Sequence, residues 1–256
     1  MKRNYKKILK RIFGYAAIII SCLLGLVIIF SPQIEQFLLK EYHPTVSALT
    51  IKQNQKAMKN ANFNFNKVHD TNLGDMIANN VKGSNNVIGL MTQPSADVSV
   101  TISPGVNNKD LAVSAGTVRK DEIMGENNYV LAGHHVPKTD WALFSGIYYH
   151  ARPGQSIYIT DLQHVYRYQV TTVKFVPSSA VFITDKDLAF KNTENILPIK
   201  DVGKPMITCF SCDATGSNRI VEFGTLTKTY NITDKSLPKE AVNGFKKCAN
   251  YTGSLG

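Results

Sequence analysis

The stretch Pro205-Met206-Ile207-Thr208-Cys209, followed after a polar interval by Asn218-Arg219-Ile220-Val221-Glu222-Phe223, reads as two apolar strands joined by a turn. A cysteine closes the first strand and an arginine opens the second, so a thiol is expected to face a guanidinium. Upstream, Tyr129-Val130-Leu131-Ala132-Gly133-His134-His135 is a third apolar run, ending in histidine. Thiol, imidazole and guanidinium at three strand ends point to cysteine acyl-transfer chemistry.

Further short β-branched runs flank these. They are Val87–Met91, Val98–Ile102, Leu111–Val113, Ser156–Thr160 and a long run from Val165 to Val176. With Tyr129–Ala132, Met206–Cys209 and Arg219–Leu226 they make about eight strands separated by turn signals. That pattern predicts a mainly β domain, an antiparallel barrel or sandwich. One helical stretch is expected at Trp141–Phe144. The mixed connection from Pro177 to Val202, with Phe182, Leu188 and Phe190 as apolar anchors, is long enough to be functional.

The N-terminus is of another kind. Lys2, Arg3, Lys6, Lys7, Lys10 and Arg11 precede an uncharged run from Ile12 to Phe30. As a helix those 19 residues would span roughly 28 Å, close to the ~30 Å hydrocarbon core of a bilayer. The basic flank predicts a cytoplasmic N-terminus and an external remainder. A cleaved signal peptide would have a shorter apolar core and a small-residue cleavage site. Ile19-Ile20-Ser21-Cys22 resembles a lipoprotein box only faintly, because the apolar run continues beyond it to Phe30.

The net charge of +10 is concentrated at this end. Without the six N-terminal cations, 23 basic residues face 19 acidic ones, leaving +4. No block of like charge and no aromatic–basic interleaving suggests nucleic acid. Four cysteines, one of them in the apolar run, do not form a disulfide framework. The chain is therefore expected to divide into a cytoplasmic basic segment (1–11), a membrane span (12–30), an extracellular stalk (31–82), the β domain (83–230) and a polar C-terminal tail (231–256). A short helix is anticipated within the stalk at Leu73–Ile77.

The motifs resemble those of sortases, and more closely the class A housekeeping sortases of Gram-positive bacteria. Leu131-Ala132-Gly133-His134 is similar to that family's histidine strand. Ile207-Thr208-Cys209 is similar to its Thr-Leu-x-Thr-Cys signature, with Met206 and Ile207 central and Pro205 in place of the first threonine. Arg219 matches the arginine of the following strand. Ala115-Gly116-Thr117, Met124–Tyr129 and Leu143-Phe144-Ser145 also resemble class A segments. The likeness spans roughly Val87 to Leu226.

The resemblance implies an eight-stranded sortase-type β-barrel with short helices, preceded by a transmembrane helix. It implies Cys209, His134 and Arg219 as catalytic residues, with Thr208, His135 and Ala132 in supporting or substrate-binding roles. His135 is expected on the opposite face of the strand from His134. Cys209 would attack between Thr and Gly of a Leu-Pro-x-Thr-Gly sorting signal on a surface protein and form a thioester. An amine of lipid II or of the peptidoglycan cross-bridge would then accept the acyl group. An apolar groove involving 177–202 would hold the Leu-Pro portion.

Two features depart from the pattern. Cys209-Phe210-Ser211-Cys212 is a Cys-x-x-Cys, which suggests either an exported thiol–disulfide exchange enzyme or a reversible disulfide over the nucleophile. A redox motif belongs at a helix N-terminus, however, and here it lies between strands. Some class A sortases use calcium. Asp121, Glu122 and Glu126 are neighbouring acids but read as solvated surface carboxylates, so no metal or other cofactor is expected.

Overall fold

In the computed structural model the described residues are 2–70, 72–82, 86–177, 203–212 and 217–253. Helix α1 (Lys2–Glu41) begins the chain, and strand β1 (Thr45–Val46) and helix α2 (Ala48–Ala57) follow. Ser47 caps α2, its hydroxyl accepting from Thr50 N at 3.1 Å. After two short 3-10 turns comes α3 (Leu73–Lys82).

The body contains β2 (Gly89–Gln93), β3 (Val98–Ser103), α4 (Asn108–Leu111), β4 (Ser114–Thr117), β5 (Asn128–Ala132), α5 (Ser145–His150), β6 (Ser156–Thr160), β7 (His164–Pro177), β8 (Met206–Cys212) and β9 (Asn218–Asn231). Helix α6 (Lys239–Cys248) and strand β10 (Asn250–Tyr251) end the described chain.

Eight strands close a barrel in the order β2-β3-β4-β5-β8-β9-β7-β6. The architecture is the β-barrel that the strand pattern predicts. It is not wholly antiparallel, because β3–β4 and β5–β8 run parallel. Each parallel pair needs a crossover. The first crossover contains α4, which takes Leu111 away from the predicted strand 111–113 and starts β4 at Ser114. Asn107 opens that helix, its side chain accepting from Lys109 N. The predicted helix at Trp141–Phe144 begins later, at Ser145, because Leu143 adopts a left-handed φ of 50° that ends regular structure there. Beyond Pro177, the end of β7, the connection expected to form a groove (178–202) lies outside the described residues.

Alternation along the strands gives the barrel two faces. Ile207 and Cys209 belong to the interior cluster with Met91, Leu131, Ile159 and Tyr168. Met206 and Phe210 point the other way, into a cluster with Val130, Ala132, Val221 and Phe223.

The expected stalk is part of the folded body. Ile51 and Met76 are fully buried. Phe65 and Val68 pack on the outer face of β5, β8 and β9, and Leu38, Leu39 and Tyr42 of the first helix and the link after it meet Met76, Ala112 and Val113. The expected tail is likewise structured. Ala241, Gly244, Phe245 and Cys248 lie on one face of α6 and are buried, joining Leu90, Tyr158 and Val165 of the barrel's outer wall. Gly244 has a reason to lack a side chain, since a Cβ there would overlap Thr92. The parallel pair β1–β10 then ties the two ends of the body together.

Candidate active site

Strands β5 and β8 run parallel with Ala132 opposite Phe210, and Gly133 N donates to Phe210 O at 3.1 Å. Two residues further along each chain stand His134 and Cys212, on the same face as Ala132 and Phe210. Across the β8–β9 ladder, Cys212 is paired with Arg219. Imidazole, thiol and guanidinium thus meet at one rim of the barrel. They line a cavity of about 330 Å³ whose walls also include Ala132, Phe210 and Asp70.

Cys209 is not part of this cavity. It lies mid-strand, fully buried in the barrel interior, and its register partner is Glu222. Burial pushes its thiol well above the usual range, and the Glu222 carboxylate adds to the effect. The expectation that Cys209 ends a strand and faces Arg219 is therefore corrected: the apolar run continues through Phe210, and the strand ends at Cys212. The cysteines are three positions apart on one extended strand, an odd spacing that points them to opposite faces. At ~3.3 Å per residue their Cα atoms are about 10 Å apart, beyond the ~7 Å reach of a disulfide. Both are thiols in the structure.

The missed signal is readable in the chain. Shifted by three, the Thr-Leu-x-Thr-Cys pattern falls on Thr208-Cys209-Phe210-Ser211-Cys212. This register keeps the first threonine that Pro205 lacks and puts a serine at the second hydroxyl position. Cys209 then takes the apolar leucine position, which its burial matches.

His134 is half-buried, and removal from water pulls its imidazole down to about 4, with the Asp70 charge working in the other direction. It is neutral near pH 7. Its backbone is fixed from behind, where Phe144 N donates to His134 O at 3.1 Å. A Cβ on Gly133 would approach the Phe144 ring to 2.6 Å, which accounts for the glycine before the histidine. Ser145 completes the clamp by accepting from Val136 N at 2.8 Å.

His135 turns away from the cavity and is buried, its ring 5.1 Å from that of Tyr148. Ala132 lines the cavity. Thr208 is buried below it, its hydroxyl donating to Asn128 Oδ1 at 2.8 Å. The Arg219 guanidinium donates from Nη1 to Asn218 O at 3.2 Å.

Glu122, expected to be solvated, is buried. Arg119 Nε donates to its Oε1 at 3.1 Å, and Val130 N donates to its Oε2 at 3.1 Å. Burial raises this carboxyl to about 7 against the pull of Arg119. The pair braces the start of β5, since Arg119 also donates to Asn128 O.

Residues 91–227 match the sortase domain family. Sortase A of Listeria monocytogenes is 34% identical over 225 residues, covering 84% of this chain and 92% of the relative. Sortase A of Streptococcus agalactiae is 28% identical over 253 residues, covering 93% and 95%. The crystal structure of sortase C-3 from Streptococcus pneumoniae superposes with a TM-score of 0.51 at 15% identity, covering 76% of this chain and 91% of that one, a likeness of fold.

Proposed function

This chain belongs to the sortase family and is a cysteine transpeptidase of the cell wall sorting type, and we propose that its nucleophile is Cys212. The convergence of Cys212, His134 and Arg219 on one cavity, with Cys209 inside the barrel, carries this reading.

The substrate is a surface protein with a Leu-Pro-x-Thr-Gly signal, cut between Thr and Gly. Cys212 Sγ attacks the threonine carbonyl while the neutral His134 imidazole takes the thiol proton. The C–N bond breaks, His134 passes that proton to the leaving amine, and the acyl group stays on sulfur as a thioester. Arg219 keeps its charge at all working pH values. It holds the oxyanion or the peptide carbonyl rather than exchanging protons. An amine of the peptidoglycan precursor, lipid II, then attacks the thioester and releases the thiol.

Helix α1 is long and apolar enough to cross a bilayer. Its six-cation flank supports a cytoplasmic N-terminus with the barrel outside.

Incubating the full chain with a Leu-Pro-x-Thr-Gly peptide and mapping the acyl-enzyme by mass spectrometry tests the proposal. The acyl mass is expected on the fragment containing Cys212. Its appearance on Cys209, or cleavage at another bond, would overturn the assignment.

A further inference from the structure

One wall of the catalytic cavity comes from ahead of the residues that match the sortase domain model, within the longer stretch shared with the Sortase A relatives. The domain match begins at residue 91, whereas Phe65, Val68, His69 and Asp70 line the same cavity as Cys212. This wall is fastened at several points. The Phe65 ring lies 6.0 Å from that of Phe210. Asn108 grips the backbone twice, its Nδ2 donating to Lys67 O at 2.9 Å and its Oδ1 accepting from His69 N at 3.1 Å. Val106 N donates to Asn62 O at 2.7 Å. The next residue after this double grip is Asp70.

Asp70 is the one carboxylate among the described residues that line the cavity. It shares the space with His134, whose titration it influences. No cation lies within ion-pairing distance of it among the described residues. His69 beside it turns to Asp75 instead, at 3.9 Å. The cavity therefore presents a negative charge next to the base, while the acyl-binding side carries the positive Arg219.

The reaction has one cationic participant. An acceptor with an α-amino pKa near 8 arrives mostly as an ammonium at pH 7. We propose that Asp70 is a specificity-determining residue for the acceptor, its carboxylate receiving the incoming ammonium beside His134. This deepens the transpeptidase reading above and depends on it. The ammonium carries three N–H protons: one passes to the His134 imidazole before attack, one leaves with the sulfur as the thiol re-forms, and one remains on the new amide. The nitrogen bonds to the acyl carbon, and the C–S bond breaks with its electron pair returning to Cys212 Sγ. Asp70 exchanges no proton. It concentrates and orients the amine at the place where its proton is removed.

The test is a competition at a common thioester. The full chain in detergent is given a sorting peptide, a peptide amide with a free N-terminal amine, and hydroxylamine, which is uncharged at pH 7. The ratio of amide to hydroxamate product is independent of how fast the thioester forms and of how much protein is folded. In Asp70→Asn this ratio is expected to fall about three- to fivefold, the size of one moderately screened charge pair. In Asp70→Glu it is expected to stay near the wild-type value. An unchanged ratio in Asp70→Asn overturns the inference, as does an equal fall in Asp70→Glu. Absence of both products from the wild type overturns the transpeptidase reading itself, and this inference with it.

Discussion

Cys212 and Arg219 are partners across the β8–β9 ladder, and three residues earlier on the same strand Cys209 and Glu222 are partners too. The first pair opens onto the cavity and the second is sealed in the barrel. The alternation of an extended strand separates two cysteines with opposite environments.

Cys212→Ala is expected to abolish both cleavage and transfer of a sorting peptide. Cys209→Ala is expected to retain most turnover per folded molecule and to lose about 1 kcal/mol of stability as a small buried deletion. Because the two thiols face apart, mild oxidant is also expected to form no Cys209–Cys212 disulfide, as read from peptide masses under non-reducing conditions. Turnover and thermal unfolding of both variants check this; an active Cys212→Ala would remove the proposed nucleophile.

The two adjacent histidines should separate cleanly. His134→Ala removes the proton carrier and is expected to lower kcat/KM by about 100- to 10,000-fold. His135→Ala removes a ring packed against Tyr148 and Tyr149, so its loss should appear in the unfolding temperature instead. Steady-state kinetics beside melting curves distinguish them, and the reverse pattern would mean that the strand faces have been exchanged.

Arg219→Lys is expected to be nearly as damaging as Arg219→Ala. Lysine keeps the charge but has no planar fork to hold an oxygen in fixed geometry. Recovery of most activity in the lysine variant would show that charge alone is needed.

Glu222 makes stability depend on pH. Full burial raises its carboxyl from 4.5 to about 8, although Gln93 Nε2 donates to its Oε2 at 3.1 Å. Between those values the folded chain holds a proton that the unfolded chain has released. Its contribution to stability is therefore lost as pH rises from about 4.5 through about 8. Glu222→Gln keeps an acceptor for Gln93 and removes the ionisation. Its melting temperature should exceed wild type by several degrees at pH 9, at roughly 2–4 °C per kcal/mol, with the gain shrinking toward pH 5. Parallel melting curves of the full chain in detergent measure it, and a gain independent of pH would assign the effect elsewhere.

Phe245 tests whether the C-terminal helix belongs to the body. It is fully buried beneath α6, and Phe245→Ala is expected to cost about 3–5 kcal/mol, or roughly 10 °C in melting temperature. A shift under about 2 °C would mean that the helix adds little to the fold.

The barrel was legible because its strands are β-branched and set off by turns. Ser156–Thr160 coincides with β6, and the run 165–176 differs from β7 by one residue at each end. Leu111–Val113 was misread because three apolar residues carry no period, and a crossover helix competes for them. The final helix was hidden by its polar composition, although Ala241, Gly244, Phe245 and Cys248 recur at helical spacing. At the site, the meeting of His134 and Arg219 at one cavity was legible from their strand positions. Which cysteine joins them was not, because both cysteines follow a hydroxyl residue on one apolar strand. Only the face that each presents tells them apart, and that depends on where the ladder begins.

The union of the first helix with the body would fix where the cavity sits relative to a bilayer that the helix crossed. Residues 31–41 continue the helix beyond the apolar run, rising about 16 Å at 1.5 Å per residue. Leu38 and Leu39 near its end, with Tyr42 just beyond it, pack on Ala112 and Val113, immediately beside Leu111 of the cavity wall. With that helix upright in a bilayer, the cavity is carried at one altitude instead of swinging on a tether. For a helix so placed, residues 31–41 would set the height above the membrane at which a sorting signal must be presented to reach the cavity.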